Sequence, residues 1–359
     1  MKRVGWAIRS FTPYKSPGPD GVYRALLQHG LDILGPNIVK LCRASIVLGL
    51  IPSLWSKVEV KFLPKPGQDS YETPKSYRPI SLLSFILKCL EKLVYRYIRE
   101  GALLNNPIHH LQFAYLPGKS TDAALHKIVS KIEKTLDNSE FALGGFVDIE
   151  GAFNNTNYSI IRKACEKHNI EKILIDWIIK MLESRRVYTT LYDETIRIKP
   201  TRGTPQGGCI SCLLWTLVIN SILEKLNGLG YYAIGYADDI VVYTNGRFKS
   251  TVIEMMQLAF KEIEKWCKKN KLSVNPKKTT VVPFSHQRYT NEDLKKISTF
   301  KEFVNYADEV KYLGVILDSR LNWKAYTNKL TEKITKTFWA CRKMIGRTWG
   351  LKPKMTLWL

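Results

Sequence analysis

Asp238 and Asp239 are adjacent carboxylates between two apolar runs, Tyr231–Tyr236 and Ile240–Thr244, that read as strands. Two like charges among apolar strands are costly unless a cation neutralises them. Successive strand residues point to opposite faces, so both can serve one ligand only if a tight turn reorients them. Taken alone, the pair is better read as a solvated β-turn, because Asp favours turns. Asp148 changes that balance. It ends a third apolar run, Phe141–Val147, and turn residues follow it. Three carboxylates on strand ends suit a Mg²⁺ site built from oxygen ligands, with substrate phosphates completing the octahedron. Two such ions roughly 3.5–4 Å apart clamp an in-line phosphoryl displacement and stabilise its attacking and leaving oxygens.

The charge balance points the same way. Lys and Arg number 55 against 32 Asp and Glu, a net charge of +23. Such an excess calls for a polyanionic partner, either nucleic acid or an anionic membrane surface. At 359 residues and 45% hydrophobic content, the chain can bury a sizeable core. No stretch approaches the roughly 20 apolar residues of a spanning helix; the longest, Cys212–Ile219, is far shorter. The basic start Met1-Lys2-Arg3 lacks the apolar region of a secretion signal. Neither secretion nor membrane insertion is expected.

Seven scattered cysteines show no disulfide rhythm. Cys209 and Cys212 form one C-x-x-C without a second ligand pair, so they read as small apolar filler rather than a zinc site. The six histidines form no i, i+4 ligand pair, and His109-His110 falls in a loop after Pro107. A reduced, intracellular protein is expected. A strongly basic chain with this carboxylate cluster is, on physics alone, a nucleic-acid polymerase or nuclease candidate.

The elements that must position the carboxylates alternate helix and strand without repeats or linkers, which predicts one continuous structure with subdomains. Helical patterns begin near Val22 and run over Pro36–Leu48, Ser81–Arg99 and Thr121–Leu136. Val58–Leu63 reads as a strand ended by Pro64-Lys65-Pro66-Gly67. Helices are predicted at 159–167 and 171–182, and Val187–Leu191 with Ile196–Ile198 as a hairpin. The loop Gly203-Thr-Pro-Gln-Gly-Gly208 opens an apolar helix to Leu226. A helix over Lys249–Asn270 is followed by strands near Thr279–Phe284 and Tyr312–Leu317. From Arg320 onward ten Lys and Arg accompany a single acid, Glu332, with apolar residues at helical spacing.

Tyr236-Ala237-Asp238-Asp239 resembles the Tyr-x-Asp-Asp box of reverse transcriptases, and Phe146-Val-Asp148-Ile-Glu-Gly-Ala-Phe153 their first catalytic motif. Gly203–Gly208 is similar to the family's Gln-Gly motif. Lys15-Ser-Pro-Gly-Pro-Asp-Gly21, Tyr77-Arg-Pro-Ile-Ser-Leu-Leu83 with Lys88 and Glu91, and Gln112-Phe-Ala-Tyr115 with Gly118-Lys-Ser-Thr121 resemble non-LTR retrotransposon enzymes. Leu272–Thr279 and Lys311-Tyr-Leu-Gly-Val-Ile-Leu-Asp318 with Trp323 complete the set in the family's order. The nearest likeness is the jockey-like group of LINE-type elements, over about residues 3 to 345.

The resemblance implies an α+β right-hand polymerase, its antiparallel palm sheet packed on helices. Residues 1–57 would be an N-terminal fingers extension and 58–140 the fingers. Residues 141–318 would be the palm with some fingers segments, the reverse transcriptase domain spanning about 58–318. Residues 319–359 would begin a basic helical thumb. The implied reaction adds a dNTP to a primer 3′-OH on an RNA template. By carry-over, Asp148, Asp238 and Asp239 hold two Mg²⁺ ions, for which Mn²⁺ can substitute. Phe153 would block a ribose 2′-OH, Gln206 touch the nascent pair, and Lys65 and Arg78 neutralise the triphosphate. Lys278, next to Lys277, would protonate pyrophosphate, and Tyr312, Leu313 and Gly314 would form the primer grip. Partners are RNA template, DNA primer or target DNA, and dNTPs, with no membrane; nucleus and cytoplasm are the expected locations.

Tyr306-Ala307-Asp308-Glu309 mimics the catalytic box but lacks a preceding apolar strand, and reads as a decoy. Asn154 stands where the family usually has Asp. The upstream endonuclease of family members does not fit in this length, so a polymerase fragment is expected. The competing readings are a degenerate copy that binds RNA without catalysis and, less favoured, a basic membrane-surface protein.

Overall fold

The computed structural model describes residues 1–67, 70–191, 193–287 and 294–343. It opens with helices Lys2–Arg9, Arg24–His29 and Leu31–Leu48. The third starts five residues before the expected Pro36, because Leu31 and Ile38 share one buried face across the proline. It stops where Gly49 turns left-handed and its N–H bonds the Ile46 carbonyl.

Strand β1 (Lys57–Pro64) then pairs antiparallel with β2 (Tyr77–Leu83). This corrects the expected helix over Ser81–Arg99. Ser81 and Leu83 are buried on alternate positions of β2, and the helix runs Phe85–Glu100. Leu83 fits either periodicity; the pairing of β2 with β1 decides it. After the helix Thr121–Asp137 comes β3 (Phe141–Glu150), and after three further helices β4 (Arg186–Leu191) and β5 (Glu194–Ile198). β4 joins β1 in parallel, giving a sheet of order β2-β1-β4-β5. The 186–198 hairpin thus belongs with the first sheet rather than with the one carrying the carboxylates.

That second sheet adds β6 (Tyr232–Tyr236), β7 (Asp239–Gly246), β8 (Ser273–Val274) and β9 (Thr280–Phe284). A short pair, β10 (Ser298–Thr299) and β11 (Glu302–Phe303), precedes β12 (Asn305–Tyr306). The order is β12-β9-β3-β7-β6, with β8 on the far end of β3. Alternation puts Ile240 and Val242 of β7 in one core with Leu226, Met256 and Phe260 from the helices Ser211–Gly228 and Lys249–Lys269. Val241 and Tyr243 face the other way, into a core with Ile128 and Ile132 of helix Thr121–Asp137. A large apolar side chain buried this way contributes about 1.5–3 kcal/mol, so helices on both faces hold the sheet rigid. At the β6 edge, Gly235 bonds both ways to the segment Leu111–Phe113, and Gln112 is fully buried against it.

The expected strand Tyr312–Leu317 is instead a hairpin of β13 (Glu309–Tyr312) and β14 (Val315–Asp318). Its two turn residues, Leu313 and Gly314, have φ +47° and +92°. A two-residue turn with both φ positive matches the right-handed twist of the strands. The carboxylate of Asp318 then accepts the N–H groups of Asn322 and Trp323 ahead of the helix Lys324–Lys343. That helix leaves Leu330, Ile334, Phe338 and Trp339 exposed. The rest of the basic tail, 344–359, lies outside the described residues. Among the described residues no helix is long and apolar enough to cross a membrane.

Candidate active site

The register of β3 against β7 sets Asp148 opposite Asp239. Asp148 does not end the strand as expected, because β8 pairs with the next two residues and extends β3 to Glu150. The Asp148 N–H donates to Thr279 Oγ1 at 3.4 Å, and its carbonyl accepts from Asn275 N–H at 2.9 Å. Its main chain is thereby fixed on both sides. Pairing of Tyr236 with Asp239 makes Ala237-Asp238 a two-residue turn. Ala237 has φ +56°, uncommon for a residue with a Cβ. Trp215 Nε1–H donates to its carbonyl at 2.8 Å and holds the turn from below. This tight turn supplies the reorientation that adjacent carboxylates require.

Burial pushes Asp239 up to about 6, the charges of Asp238 and Asp148 add to the rise, and Lys278 opposes it. Burial also raises Asp148, with Lys278 opposing and Asp238 reinforcing. Lys278 Nζ stands 3.6 Å from Asp148 Oδ2, while Lys277 makes no ion pair among the described residues. The site is three mutually repelling carboxylates with one ammonium at the rim. Among the described residues no group of three or more Asp, Glu, His or Cys side chains, these aspartates included, stands close enough together to hold a metal ion by itself. Carboxylates that share a field without completing a coordination sphere suit a divalent ion that draws remaining ligands from phosphate and water.

Phe153 follows β3 on the short helix Ala152–Asn155, entered through Gly151 at φ +62°. Its half-buried ring packs 6.4 Å from Tyr115, edge-on, and 6.2 Å from Trp215. Its carbonyl accepts the Thr204 N–H at 2.6 Å, tying it to the Gly203–Gly208 loop. The Gln206 carbonyl in turn accepts the Ser81 N–H of β2 at 2.7 Å. Gly207, at φ +121°, lies so close that a Cβ there would sit 2.7 Å from the Ser81 carbonyl oxygen. Asn154 is exposed, and its carbonyl backs Gly203, where a Cβ would come within 2.4 Å of it.

Lys65 and Arg78 lie on the β1–β2 hairpin, with Arg78 exposed and opposite Leu63. Lys65 Nζ donates to the Lys75 carbonyl at 2.7 Å, and Lys75 pairs with Glu150 of β3 at 3.7 Å. The hairpin therefore reaches the carboxylate strand through Lys75. Neither Lys65 nor Arg78 bonds any of the three aspartates among the described residues. Tyr312, Leu313 and Gly314 divide: Tyr312 is buried 5.4 Å from Phe146, and only Leu313 and Gly314 form the turn. Tyr306 does lie on a strand, but β12 is at the edge of the sheet opposite β6, with β9 and β3 between it and β7.

Trp215, Tyr115, Lys75 and Asn275 were not singled out by type or spacing. Trp215 sits in an apolar helix with no polar signal, whereas Asn275-Pro276 marked a turn within an already recognised motif. Burial pushes the Cys209 thiol up to about 12, in keeping with filler rather than a reactive pair.

Residues 63–317 match the reverse transcriptase (RNA-dependent DNA polymerase) family. The chain is 26% identical, over 99% of its length, to the Retrovirus-related Pol polyprotein from type-1 retrotransposable element R1 of Bradysia coprophila, covering 35% of that protein. It is 26% identical to the probable RNA-directed DNA polymerase from transposon BS of Drosophila melanogaster, over 99% of this chain and 39% of that one. The RNA-directed DNA polymerase from mobile element jockey of Drosophila funebris is 25% identical over 94% of this chain and 38% of its own length. The chain spans little more than a third of these relatives. With the family match covering well over half of the residues, and the aspartates set on an antiparallel sheet between helices, this chain belongs to the reverse transcriptase family and has its right-hand polymerase fold.

Proposed function

We propose that the chain is the polymerase segment of a non-LTR retrotransposon protein, adding dNTPs to a primer 3′-OH on an RNA template. The observation that carries this reading is the pairing of Asp148 with Asp239 beside the Ala237-Asp238 turn. Reverse transcriptases use divalent metal ions. Asp148, Asp238 and Asp239 would hold two Mg²⁺ ions, with Mn²⁺ able to substitute; the raised acids of Asp148 and Asp239 support this, because a cation relieves their repulsion. When bound, the metal supplies positive charge against the reacting phosphate oxygens.

The protein's own groups orient and exclude. Phe153 packs beneath the sugar and denies space to a 2′-hydroxyl, with Tyr115 and Trp215 stiffening its ring. Gln206 faces the nascent pair from a loop whose glycines permit close approach. Lys278, held near Asp148, hands a proton to the departing pyrophosphate. Lys65 and Arg78, on the β1–β2 hairpin, neutralise the triphosphate. The Leu313-Gly314 turn supports the primer, anchored by Tyr312. We further propose that the intact element protein acts as a ribonucleoprotein in nucleus and cytoplasm, with an endonuclease segment beside this one.

The test is primer extension on poly(rA)/oligo(dT) with Mg²⁺. Incorporation by the wild type and none by Asp238→Asn supports the reading. No incorporation on any primed RNA by folded wild-type protein that still binds the duplex overturns it.

A further inference from the structure

The loop that carries Gln206 is held at both ends by buried ionisable side chains. Glu91 sits midway along the helix Phe85–Glu100, with no exposure, among buried Leu87, Leu90 and Val94. An apolar residue would suit that face, since a carboxylate taken from water loses its hydration. Its Oε2 accepts the Cys209 N–H at 2.5 Å, and Oε1 has no hydrogen-bond partner among the described residues. Gly208 makes the approach possible: a Cβ there would lie 2.7 Å from Ser211 Oγ and 3.3 Å from Glu91 Oε2.

At the other end Arg185, only 5% exposed, donates from Nη2 to the Gly203 carbonyl at 2.5 Å and to Tyr158 Oη at 2.9 Å. Its Nε donates to the Leu182 carbonyl at 2.9 Å. One planar fork thus ties the loop entrance to two other elements, which a flexible ammonium does not reproduce. Between the ends, Ser211 Oγ donates to the Pro205 carbonyl and Ser81 N–H to the Gln206 carbonyl.

We infer that Glu91 and Arg185 are positioning residues for nucleotide selection: they clamp the two ends of the Gly203–Cys209 loop so that Gln206 meets the nascent base pair in one fixed place. This rests on the role proposed above for Gln206. A purely stabilising role would be better served by apolar side chains, because buried charges seldom add net stability. What the clamps provide is a fixed position for the two ends of the loop, added to the bonds that Ser81, Ser211 and Phe153 make with its interior.

The test compares Glu91→Met, which fills similar volume without an acceptor, with Glu91→Gln, which keeps one. Thermal melting, RNA–primer affinity, and kcat and KM for matched and mismatched dNTPs are measured on the full chain. For Glu91→Met we expect a folded protein with a modestly lower melting temperature, because the Cys209 N–H loses its acceptor, and unchanged RNA–primer affinity. Its dNTP KM rises roughly tenfold or more, the scale of a lost charged hydrogen bond, and mismatch discrimination falls. Glu91→Gln recovers most of both losses. Arg185→Lys, which keeps the charge and loses the fork, moves KM the same way and serves if Glu91→Met does not fold. Wild-type KM and discrimination in folded Glu91→Met, or equal damage in Gln and Met, overturns the inference. Amide exchange of residues 203–209 reads the clamp without chemistry. Faster exchange in Met than in Gln supports it, and equal protection overturns it, even if the wild type incorporates nothing and the functional reading itself falls.

Discussion

Replacing Asp239 by Asn should stabilise the metal-free protein while ending its activity. Folding moves Asp239 from its ordinary 3.8 to about 6, through burial and the neighbouring Asp238 and Asp148. At about 1.4 kcal/mol per unit, two units of displacement amount to ~3 kcal/mol. The carboxylate is partly open to water, so screening reduces this to about 1.5–3 kcal/mol. The sign follows from the direction. A carboxyl raised in the folded state favours folding when protonated, a contribution complete below about pH 4 and lost as pH rises through about 6. Asn is neutral throughout. Urea unfolding in chelator at pH 7.5 should therefore show Asp239→Asn more stable than wild type by about 1.5–3 kcal/mol, with the gap closing towards pH 4. Adding Mg²⁺ should narrow the gap from the other side, because it binds and stabilises the wild type more. A variant less stable than wild type at pH 7.5 without metal, or a gap independent of pH, would refute the electrostatic account of the site.

Asp148→Asn and Asp238→Asn should each abolish extension yet leave RNA–primer affinity near wild type, while Asp308→Asn keeps full extension; activity in Asp238→Asn or its loss in Asp308→Asn would show the wrong acids had been chosen. Phe153→Ala should lower the ratio of dNTP to rNTP incorporation efficiency, and an unchanged ratio would reduce the ring to packing. Duplex binding should weaken steeply with salt, each neutralised phosphate contributing about −0.9 to the slope of log affinity against log salt on B-form DNA. Exchanging Lys329, Lys333 and Lys336 for Gln should flatten that slope, and an unaltered slope would leave the exposed helix as a solvated face.

Much of the site was legible because its signals are local. Apolar runs ending at Asp148 and bracketing Asp238-Asp239 reveal strands, and two carboxylates at a strand junction demand a turn. The pairing of Asp148 with Asp239 was not legible, because register is fixed by partners distant in the chain. The same holds for β4, whose parallel partner β1 lies far away in sequence. Leu83 satisfied a helical stripe and a strand alternation equally, so only pairing could assign it. The hairpin at Leu313-Gly314 was hidden by a leucine, which is not a turn former, at φ +47°. Glu91 is visible in the sequence only as part of a motif, since nothing in a helical pattern says that an acid at that spacing will be buried.

The bracket of Leu111–Phe113 against Gly235 has a bearing on how copies of this protein behave in company. A sheet of buried apolar strands with an open margin is a template on which other chains can add, the first step towards aggregation. Here Gly235 of the β6 margin has its N–H and carbonyl taken up by the bracket, and the opposite margin, β12, offers only two residues. Gly235 is the residue that admits the bracket, because a Cβ there would fall 2.3 Å from Gln112 Oε1. Substituting it should push the bracket away and bare the strand that leads into the Asp238 turn. Protection from sticky self-pairing and integrity of the Ala237-Asp238 turn thus depend on the same missing side chain.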